Sequence, residues 1–341
     1  MKLSDVKRYL LLGASLVAAA AGYTWYWHST ADRIMADIPI LTEVAEQHGY
    51  SLVINSPETS GFPYRLIVTV PSVEFAPRSA PKNSRNRWRF RAADLVAYAQ
   101  PWDLSHMILE LGGPVSLLWN EQTHTATADR AMLSMSFDGA AVRRLSLDIR
   151  GLDLSGGGGT SNLAAERVQA HLQRVDNAGG SHSSRVSLAA EGLTIPERQS
   201  GVLDPFVKLI RAEGLLGGWT LGFETGPSVD QWLSGGGALQ LDDFEVSWPP
   251  IGIEGSGSLG LDKKRRPNGS IKARVRGHGA LIDAFEEAGV LSLRKAATAR
   301  AALGMLLTSQ GDRAGRLPVT VELQDGRLYL GPVKLLRLPA F

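Results

Sequence analysis

Residues 145–154, LSLDIRGLDL, place an apolar side chain at every second position from Leu145 to Ile149, with a polar or charged side chain between each pair. This period of two is the pattern of a β-strand with one buried face, because successive side chains of a strand point to opposite sides of the sheet. Similar segments recur between Thr123 and Val175, separated by turn residues. They predict a mainly β fold (β-rich α+β), built as a large curved antiparallel sheet or groove with a few helices.

Hairpin signals extend this pattern toward the C-terminus. Leu239–Asp262 predicts two strands with a turn at Pro249-Pro250, and the second is predicted to pair with GSIKARVRG through a turn at Asn268-Gly269. Asp325-Gly326, between two alternating segments, is among the strongest short hairpin signals. Each feature favours antiparallel pairing.

Helical signals are fewer. Asp204–Glu213 has an aspartate at the cap and a proline at the first helical position, which predicts a short helix. Ala280–Gln310 predicts a second helical segment with a break near Gly289. The composition of residues 162–175 suits either a helix or a strand. Strands and helices do not alternate, which argues against a doubly wound parallel fold.

The N-terminal stretch Tyr9–Trp27 is 19 residues without a charge. At about 1.5 Å per residue it is long enough to cross the roughly 30 Å hydrocarbon core of a membrane. The preceding tail, residues 1–8, carries three basic residues, and the positive-inside rule keeps such a tail in the cytoplasm. An aromatic cluster at the far end suits the opposite interface: Tyr23, Trp25, Tyr26 and Trp27.

A cleaved signal peptide is the alternative for this segment, with residues 10–18 as its apolar region and a cleavage site among Ala18–Ala21. Under both interpretations the rest of the chain is exported. Residues 28–49 predict a juxtamembrane amphipathic helix that Pro39 kinks or splits. Residues 50–341 are then predicted to form the exported β-rich domain, either as one lobe or as two lobes that meet near residues 200–215.

The stretch GFPYRL, residues 61–66, predicts the start of a strand. The proline biases Phe62 toward extended geometry, and Phe62, Tyr64, Leu66 and Val68 alternate with other residues. These four side chains are expected to share the core face. Arg65 is then expected on the solvent face, and an anion-binding role for it is the less favoured interpretation.

Charge is balanced over the body of the chain. Removing Lys2, Lys7, Arg8 and Asp5 from the 36 basic and 34 acidic residues leaves 33 of each. This balance argues against nucleic-acid binding, which depends on a basic excess. One segment, Arg78–Arg91, contains basic residues and no acid, and predicts a solvated loop or a contact for anionic headgroups or a partner. Its candidate contact residues are Arg85, Arg87 and Arg89.

The sequence contains no recognisable catalytic, metal-binding or cofactor-binding motif. Cysteine is absent, and the seven histidines include no His-x-x-x-His pair. The G-x-G-x-x-G match in GSGSLG, residues 255–260, leads into a strand instead of a helix, so it predicts no dinucleotide site. Asp242 and Asp243 are adjacent, and adjacent residues of a strand point to opposite faces, so they predict no acid/base pair. No catalytic, cofactor-binding or metal-ligating residue is therefore assigned.

Three stretches together resemble one family. GFPYRL after an anchor and helix, LDDFEVSWPPIGIEGSGSLGLD at residues 241–262, and LQDGRLYLGPVKLLRLP at residues 323–339 resemble the exported proteins of Gram-negative bacteria grouped as domain-of-unknown-function family 2125. The resemblance covers most of the chain beyond the anchor. It implies an envelope location, with a single-pass anchor in the inner membrane and the C-terminal body in the periplasm. It brings no established activity.

Three functions are compatible with these features. The favoured one is a membrane-anchored envelope protein whose β-rich body binds lipid or another envelope component through an apolar face. The alternative is a structural or assembly protein of the envelope that has no ligand. The least favoured is a hydrolase whose site is assembled from residues distant in sequence.

Overall fold

The computed structural model describes residues 3–78, 88–119, 122–139, 141–156, 162–176, 182–196, 203–218, 232, 237–262, 265–289, 292–310, 315–330 and 333–337. Most of these residues lie in antiparallel strands, so the predicted mainly β fold is confirmed. Helix α1 spans Leu3–Gln47, α2 spans His278–Glu287 and α3 spans Leu293–Gln310. The predicted break near Gly289 separates α2 from α3, and both predicted C-terminal helices are thereby confirmed.

The described residues contain eighteen strands, which are numbered in chain order. They are β1 Tyr50–Asn55, β2 Glu58–Ser60, β3 Leu66–Pro77, β4 Trp88–Gln100, β5 Asp103–Leu111, β6 Val115–Trp119, β7 Gln122–Thr127, β8 Arg130–Asp138, β9 Ala141–Ser155, β10 Asn162–Asp176, β11 His182–Thr194, β12 Phe206–Gly217, β13 Ala238–Trp248, β14 Ile251–Leu261, β15 Pro267–Arg276, β16 Leu317–Gln324, β17 Arg327–Leu330 and β18 Val333–Arg337. The chain divides into two compact units, Met1–Thr125 and Ala126–Phe341. Residues 200–215, where the sequence predicts a division between lobes, lie in the second unit.

Helix α1 joins the predicted anchor and the predicted juxtamembrane helix without interruption. Pro39 lies inside it, so the prediction that this proline splits the helix is wrong. Proline removes one backbone donor from a helix. Ile34 and Ile38, which precede Pro39 in the helix, pack against the core of the first unit.

The first unit is built around strand β3. It pairs with β1 and β2 on one side and with β4 on the other, and β4 pairs in turn with β5 and β6. The core lies between β3 and the middle of α1. Its buried residues are Trp27, Ala31, Leu66, Val68 and Val70. Helix α1 is therefore a structural part of the first unit.

The prediction for the stretch GFPYRL is only partly confirmed. Strand β3 begins at Leu66, and residues 62–64 form a turn. Gly61 has φ +100°, and a Cβ at this position would lie 2.7 Å from the Arg65 carbonyl oxygen. The chain can reverse here because glycine tolerates both conditions, and the Arg65 amide then donates to the Gly61 carbonyl at 3.0 Å.

The side chains in this turn and those in the strand that follows it differ in burial. Leu66 and Val68 lie in the core as predicted. Phe62 and Tyr64 are 47% and 76% exposed, so their predicted place on the core face is wrong. A turn at residues 62–64 interrupts the period of two on which that prediction depended. Arg65 is exposed, as expected.

The second unit is a meander. Each strand from β8 to β18 pairs antiparallel with the next strand in sequence. The predicted hairpins at Pro249-Pro250 and Asp325-Gly326 are confirmed. Asp325 and Gly326 have φ of +52° and +66°, the left-handed geometry that tight hairpin turns require.

Two local predictions in this unit are wrong. Residues 206–213 belong to strand β12, because pairing with β11 and β13 overrides the helix-cap signal at Asp204. The Asp204 carboxylate accepts a bond from the Phe206 amide at 2.7 Å, so the residue caps a turn that leads into a strand. Asn268 and Gly269 lie within β15, opposite Gly260 and Leu259, and not in the turn. The ambiguous residues 162–175 form strand β10.

We expect Trp27→Ala to destabilise the first unit by about 3–5 kcal/mol, the typical cost of truncating a buried aromatic side chain. Trp27 is 3% exposed, and its indole N–H donates to the Arg65 carbonyl at 3.0 Å. The measurement is denaturant unfolding of the full chain in detergent. Trp25→Ala is the matched control, since Trp25 is 73% exposed, and its effect should stay within about 0.5 kcal/mol. Equal effects of the two substitutions would contradict the packing described here.

Candidate functional site

The candidate site is one face of the sheet in the second unit. In an antiparallel sheet, residues directly opposite each other on neighbouring strands share a face, and so do residues two apart along one strand. The strand register therefore assigns each side chain to a face. Starting from Leu145, Leu147 and Ile149 of the alternating stretch, the register can be followed across nine strands, from β8 to β16.

Three rows of paired residues cross these nine strands on one face, and all their members are apolar or glycine. The first row is Ala131, Ile149, Val168, Ala190, Ile210, Val246, Ile253, Val275 and Leu317; the second is Leu133, Leu147, Ala170, Leu188, Ala212, Phe244, Gly255, Ala273 and Val319; the third is Met135, Leu145, Leu172, Val186, Gly214, Leu241, Gly257, Ile271 and Val321. We call this surface the apolar face.

The apolar face is incompletely covered. Leu188 is 50% exposed and Ile210 is 37% exposed, and most other members of the rows are half-buried. Of the three buried apolar side chains in the rows, two are alanines, Ala131 and Ala273, and the third is Leu241. A sheet packed against a second layer would bury its large side chains instead. Part of the apolar face, at Leu188 and Ile210, is therefore open to solvent.

A glycine at the centre of the face fits this packing. Gly255 of β14 lies opposite Phe244 and Ala273. A Cβ at Gly255 would lie 2.3 Å from the Lys272 carbonyl oxygen and 2.9 Å from the Phe244 ring. Gly255 and Gly257 of the sequence GSGSLG thus serve close packing within the sheet, and the segment continues as a strand and not as a helix.

The opposite face of the same strands is polar and charged. Between the apolar rows, the register aligns Asp148, Gln169, Arg211, Glu245 and Glu254 on neighbouring or nearby strands. Ion pairs cross this face, with Arg167 at 2.8 Å from Asp148 and Arg211 at 3.0 Å from Asp243. The hydrogen bond from Arg167 holds the pKa of Asp148 below its ordinary value of 3.8. One face is thus adapted to water and the other is not.

A β-bulge changes the interpretation of the acidic pair in β13. The register shifts between Leu241 and Phe244, so that two residues of β13 occupy the place of one. Asp242 and Asp243 consequently both contact cations of the polar face, Asp242 through Arg185 at 3.5 Å and Asp243 through Arg211. The prediction that these carboxylates point to opposite faces is wrong, because the bulge interrupts the alternation. Their arginine partners make them a structural ion-pair network.

The charged groove on the polar face has a volume of about 400 Å³. Arg274, Arg276 and Arg316 line it together with Glu245 and Glu254. Arg316 donates to Glu254, and Arg211 lies 3.8 Å from Glu245. Among the residues that the structure describes, no group of three His, Asp or Glu side chains is placed to hold a metal ion. Paired charges of both signs are typical of a solvated sheet face.

The predicted contact residues are described only in part. Arg85 and Arg87 lie outside the described residues. Arg89 is exposed and lies 3.1 Å from Glu74, and the same carboxylate accepts a bond from Arg91 at 2.7 Å. One acid therefore faces two cations at this end of β4. The apolar face itself was missed as a set of residues, although its signal, the period of two, is visible in single strands.

Two features characterise the protein. Its apolar N-terminal helix continues into the first unit and forms part of it, and its meander sheet has one apolar face. The chain belongs to the family of uncharacterized proteins conserved in bacteria, DUF2125, whose model matches residues 27–339. The match begins at Trp27, the first buried residue in the part of α1 whose burial is described, from Lys7 onward. No curated protein and no solved structure is significantly similar to the chain.

We expect Asp148→Asn to remove part of the acid sensitivity of folding. Because the folded-state pKa of Asp148 is lowered, its contribution to stability is present above the unfolded pKa near 3.8 and is lost as the pH falls through the folded value. The measurement is the free energy of unfolding between pH 2 and pH 7. The variant should show a smaller loss of stability below about pH 4 than the parent chain. If Asp148→Asn lost as much stability at low pH as the parent chain, the ion pair between Arg167 and Asp148 would be contradicted.

Proposed function

We propose that the protein is a single-pass inner-membrane protein whose periplasmic body binds the acyl chains of a lipid on the apolar face of its second unit. Helix α1 is long and apolar enough to span a membrane. Its N-terminal half carries exposed apolar side chains: Tyr9, Leu10, Leu11, Leu12, Leu16 and Val17. The basic residues Lys2, Lys7 and Arg8, which precede the apolar segment, support a cytoplasmic N-terminus.

The observation that carries the lipid proposal is the continuity of the three apolar rows. Nine strands at a spacing of about 4.8 Å make each row about 38 Å long, and three rows two residues apart are about 13 Å wide. The resulting area, on the order of 500 Å², lies in the range of the largest apolar patches of monomeric proteins, which are often functional. An acyl chain of one membrane leaflet, about 15 Å long, fits within each row.

The chemistry of the face favours a lipid over a protein partner. Protein interfaces carry about one hydrogen bond per 100–200 Å², so a surface of this area would be expected to supply roughly three to five. The side chains of the three rows contain no hydroxyl, amide or charged group. Hydrocarbon needs no hydrogen bond, and its transfer from water to the face is favourable by about 0.8 kcal/mol per buried CH₂. An assembly protein without a ligand is the alternative.

The basic segment Arg78–Arg91 of the first unit is proposed as a separate contact. Because Glu74 faces both Arg89 and Arg91, this end of β4 retains more positive than negative charge. Arg85, Arg87 and Arg89 are candidate contacts for an anionic headgroup or an acidic partner. Nucleic acid is not a proposed partner, and no cofactor is proposed.

We expect Leu188→Glu with Ile210→Glu to lower the amount of lipid that co-purifies with the full chain. A carboxylate at either position would have to lose its hydration under an acyl chain, which costs more than the apolar contact contributes. The measurement is mass spectrometry of organic extracts of the protein purified in mild detergent, normalised to protein. A loss of at least about tenfold is expected, equivalent to 1.4 kcal/mol.

Leu209→Glu is the matched control for this experiment. Leu209 lies on β12 next to Ile210 and points to the polar face, where its carboxylate would remain hydrated. Its lipid content should equal that of the parent chain. If the parent protein carries no lipid, or if all variants carry the same amount, the lipid proposal is wrong and the assembly function takes its place.

We also expect the N-terminal segment to be retained in the mature protein. Tyr23, Tyr26 and Trp27 bond to the first unit, but the cleavage site predicted among Ala18–Ala21 precedes them, so the fold is compatible with both outcomes. The exposed aromatic end of the apolar segment favours an anchor. The measurement is the mass of the mature chain from membranes. A mature N-terminus at Gly22 or Tyr23 would establish a signal peptide instead.

A further inference from the structure

The junction between α1 and the first unit is a tightly bonded collar. The Tyr23 hydroxyl donates to the Pro63 carbonyl, and the Tyr26 hydroxyl donates to the Pro101 carbonyl at 2.7 Å. Trp27 adds its bond to Arg65. Two loops, residues 61–65 and the β4–β5 turn at residues 101–102, are thereby fixed beside a single turn of the helix. We call these two loops and residues 23–27 the collar.

The collar carries exposed aromatic side chains, and the adjoining start of β5 adds an exposed leucine. Tyr64 is 76% exposed, Trp102 is 58% exposed and Leu104 is 40% exposed. Trp25, on the helix turn itself, is also exposed. Phe62 is half-exposed, and its ring lies against Trp27 and His28 with centroids 5.6 and 5.9 Å apart. Tyrosine and tryptophan, whose rings are amphipathic, are the residues enriched where a membrane meets water.

The length of the free helix determines how deep this collar lies. Only Tyr9–Gly22 is both apolar and free of bonds to the body, because the next residue, Tyr23, already bonds to Pro63. These residues rise about 21 Å along the helix. The hydrocarbon core of a bilayer is about 30 Å thick. A membrane that the helix spans must therefore reach residues 23–27, and the loops bonded there lie in the membrane interface.

We propose that the collar is a membrane-inserted surface, in which Tyr64, Trp102 and Leu104 of the folded body enter the interface of the bilayer beside Trp25. The partner is a lipid bilayer surface, and the proposal rests on the membrane anchor proposed above. It assigns to two loops of the body a membrane contact that the anchor alone does not require.

The end of the first unit opposite the collar is expected to face away from the membrane. Beyond the collar, α1 runs along the body until Glu46, which lies 2.9 Å from Arg78 just after the end of β3. Nineteen residues separate Trp27 from Glu46, a rise of about 28 Å. Val53 of β1 lies opposite Glu74, in the distant half of β3. They are therefore expected in water, although Val53 is also an exposed apolar residue.

Single-cysteine labelling of the full chain tests the proposal, and the absence of native cysteine makes it direct. Tyr64→Cys, Trp102→Cys and the control Val53→Cys are each labelled with an environment-sensitive fluorophore and reconstituted into vesicles of phosphatidylethanolamine and phosphatidylglycerol. All three side chains are exposed, so folding should be unaffected, and circular dichroism checks this. We expect labels at positions 64 and 102 to brighten several-fold and to be quenched by lipids with a nitroxide near the glycerol backbone. The label at position 53 should be quenched by aqueous iodide only.

Flotation of the vesicles separates the possible failures. If the protein does not float with the vesicles, the anchor itself is wrong and the collar proposal falls with it. If the protein floats but labels at positions 64 and 102 are as open to iodide as the label at position 53, the anchor stands and the collar proposal is overturned. Equal protection of all three labels would also overturn it, because the body would then lack the predicted direction.

Discussion

Face sharing between opposite residues of an antiparallel sheet is the constraint on which the second unit depends. Once Leu145, Leu147 and Ile149 occupy one face, the strand register determines which side chains of every strand from β8 to β16 share that face. A slip of one residue in any strand would place charged side chains among the apolar rows. The bulge at Asp242 shows how the sheet accommodates an extra residue, because Leu241 remains on the apolar face and Phe244 resumes the second row.

Much of this sheet could be predicted from the sequence. Alternation and turn signals are local properties, so strand β9 and the hairpins at Pro249-Pro250 and Asp325-Gly326 followed from short stretches. The failures at Asp204–Glu213 and at Asn268-Gly269 have one physical cause. A cap signal or a turn dipeptide states a local preference, whereas the pairing of β12 and β15 with two neighbours each contributes more free energy than that preference.

The apolar face and the collar were harder to predict for a different reason. Each apolar row takes one residue from every strand, so it can be recognised only when the register is known. The aromatic cluster at Tyr23–Trp27 predicts a membrane interface, yet the sequence does not show that hydroxyl and indole groups of this cluster bond to carbonyls of loops about 40 and 75 residues away. The exposed positions of Phe62 and Tyr64 depend on a turn that glycine permits at residue 61.

The strand order of the second unit has an evolutionary consequence. In this meander each strand from β10 to β17 pairs with the strands before and after it, so the sheet resembles a one-dimensional repeat array in which nearest-neighbour pairing dominates the energetics. Insertion or loss of a two-stranded hairpin changes the length of the sheet by about 10 Å and alters the pairing only of the strands that flank it. Genes of this kind can therefore lengthen or shorten the protein in units of one hairpin while its two faces keep their chemistry.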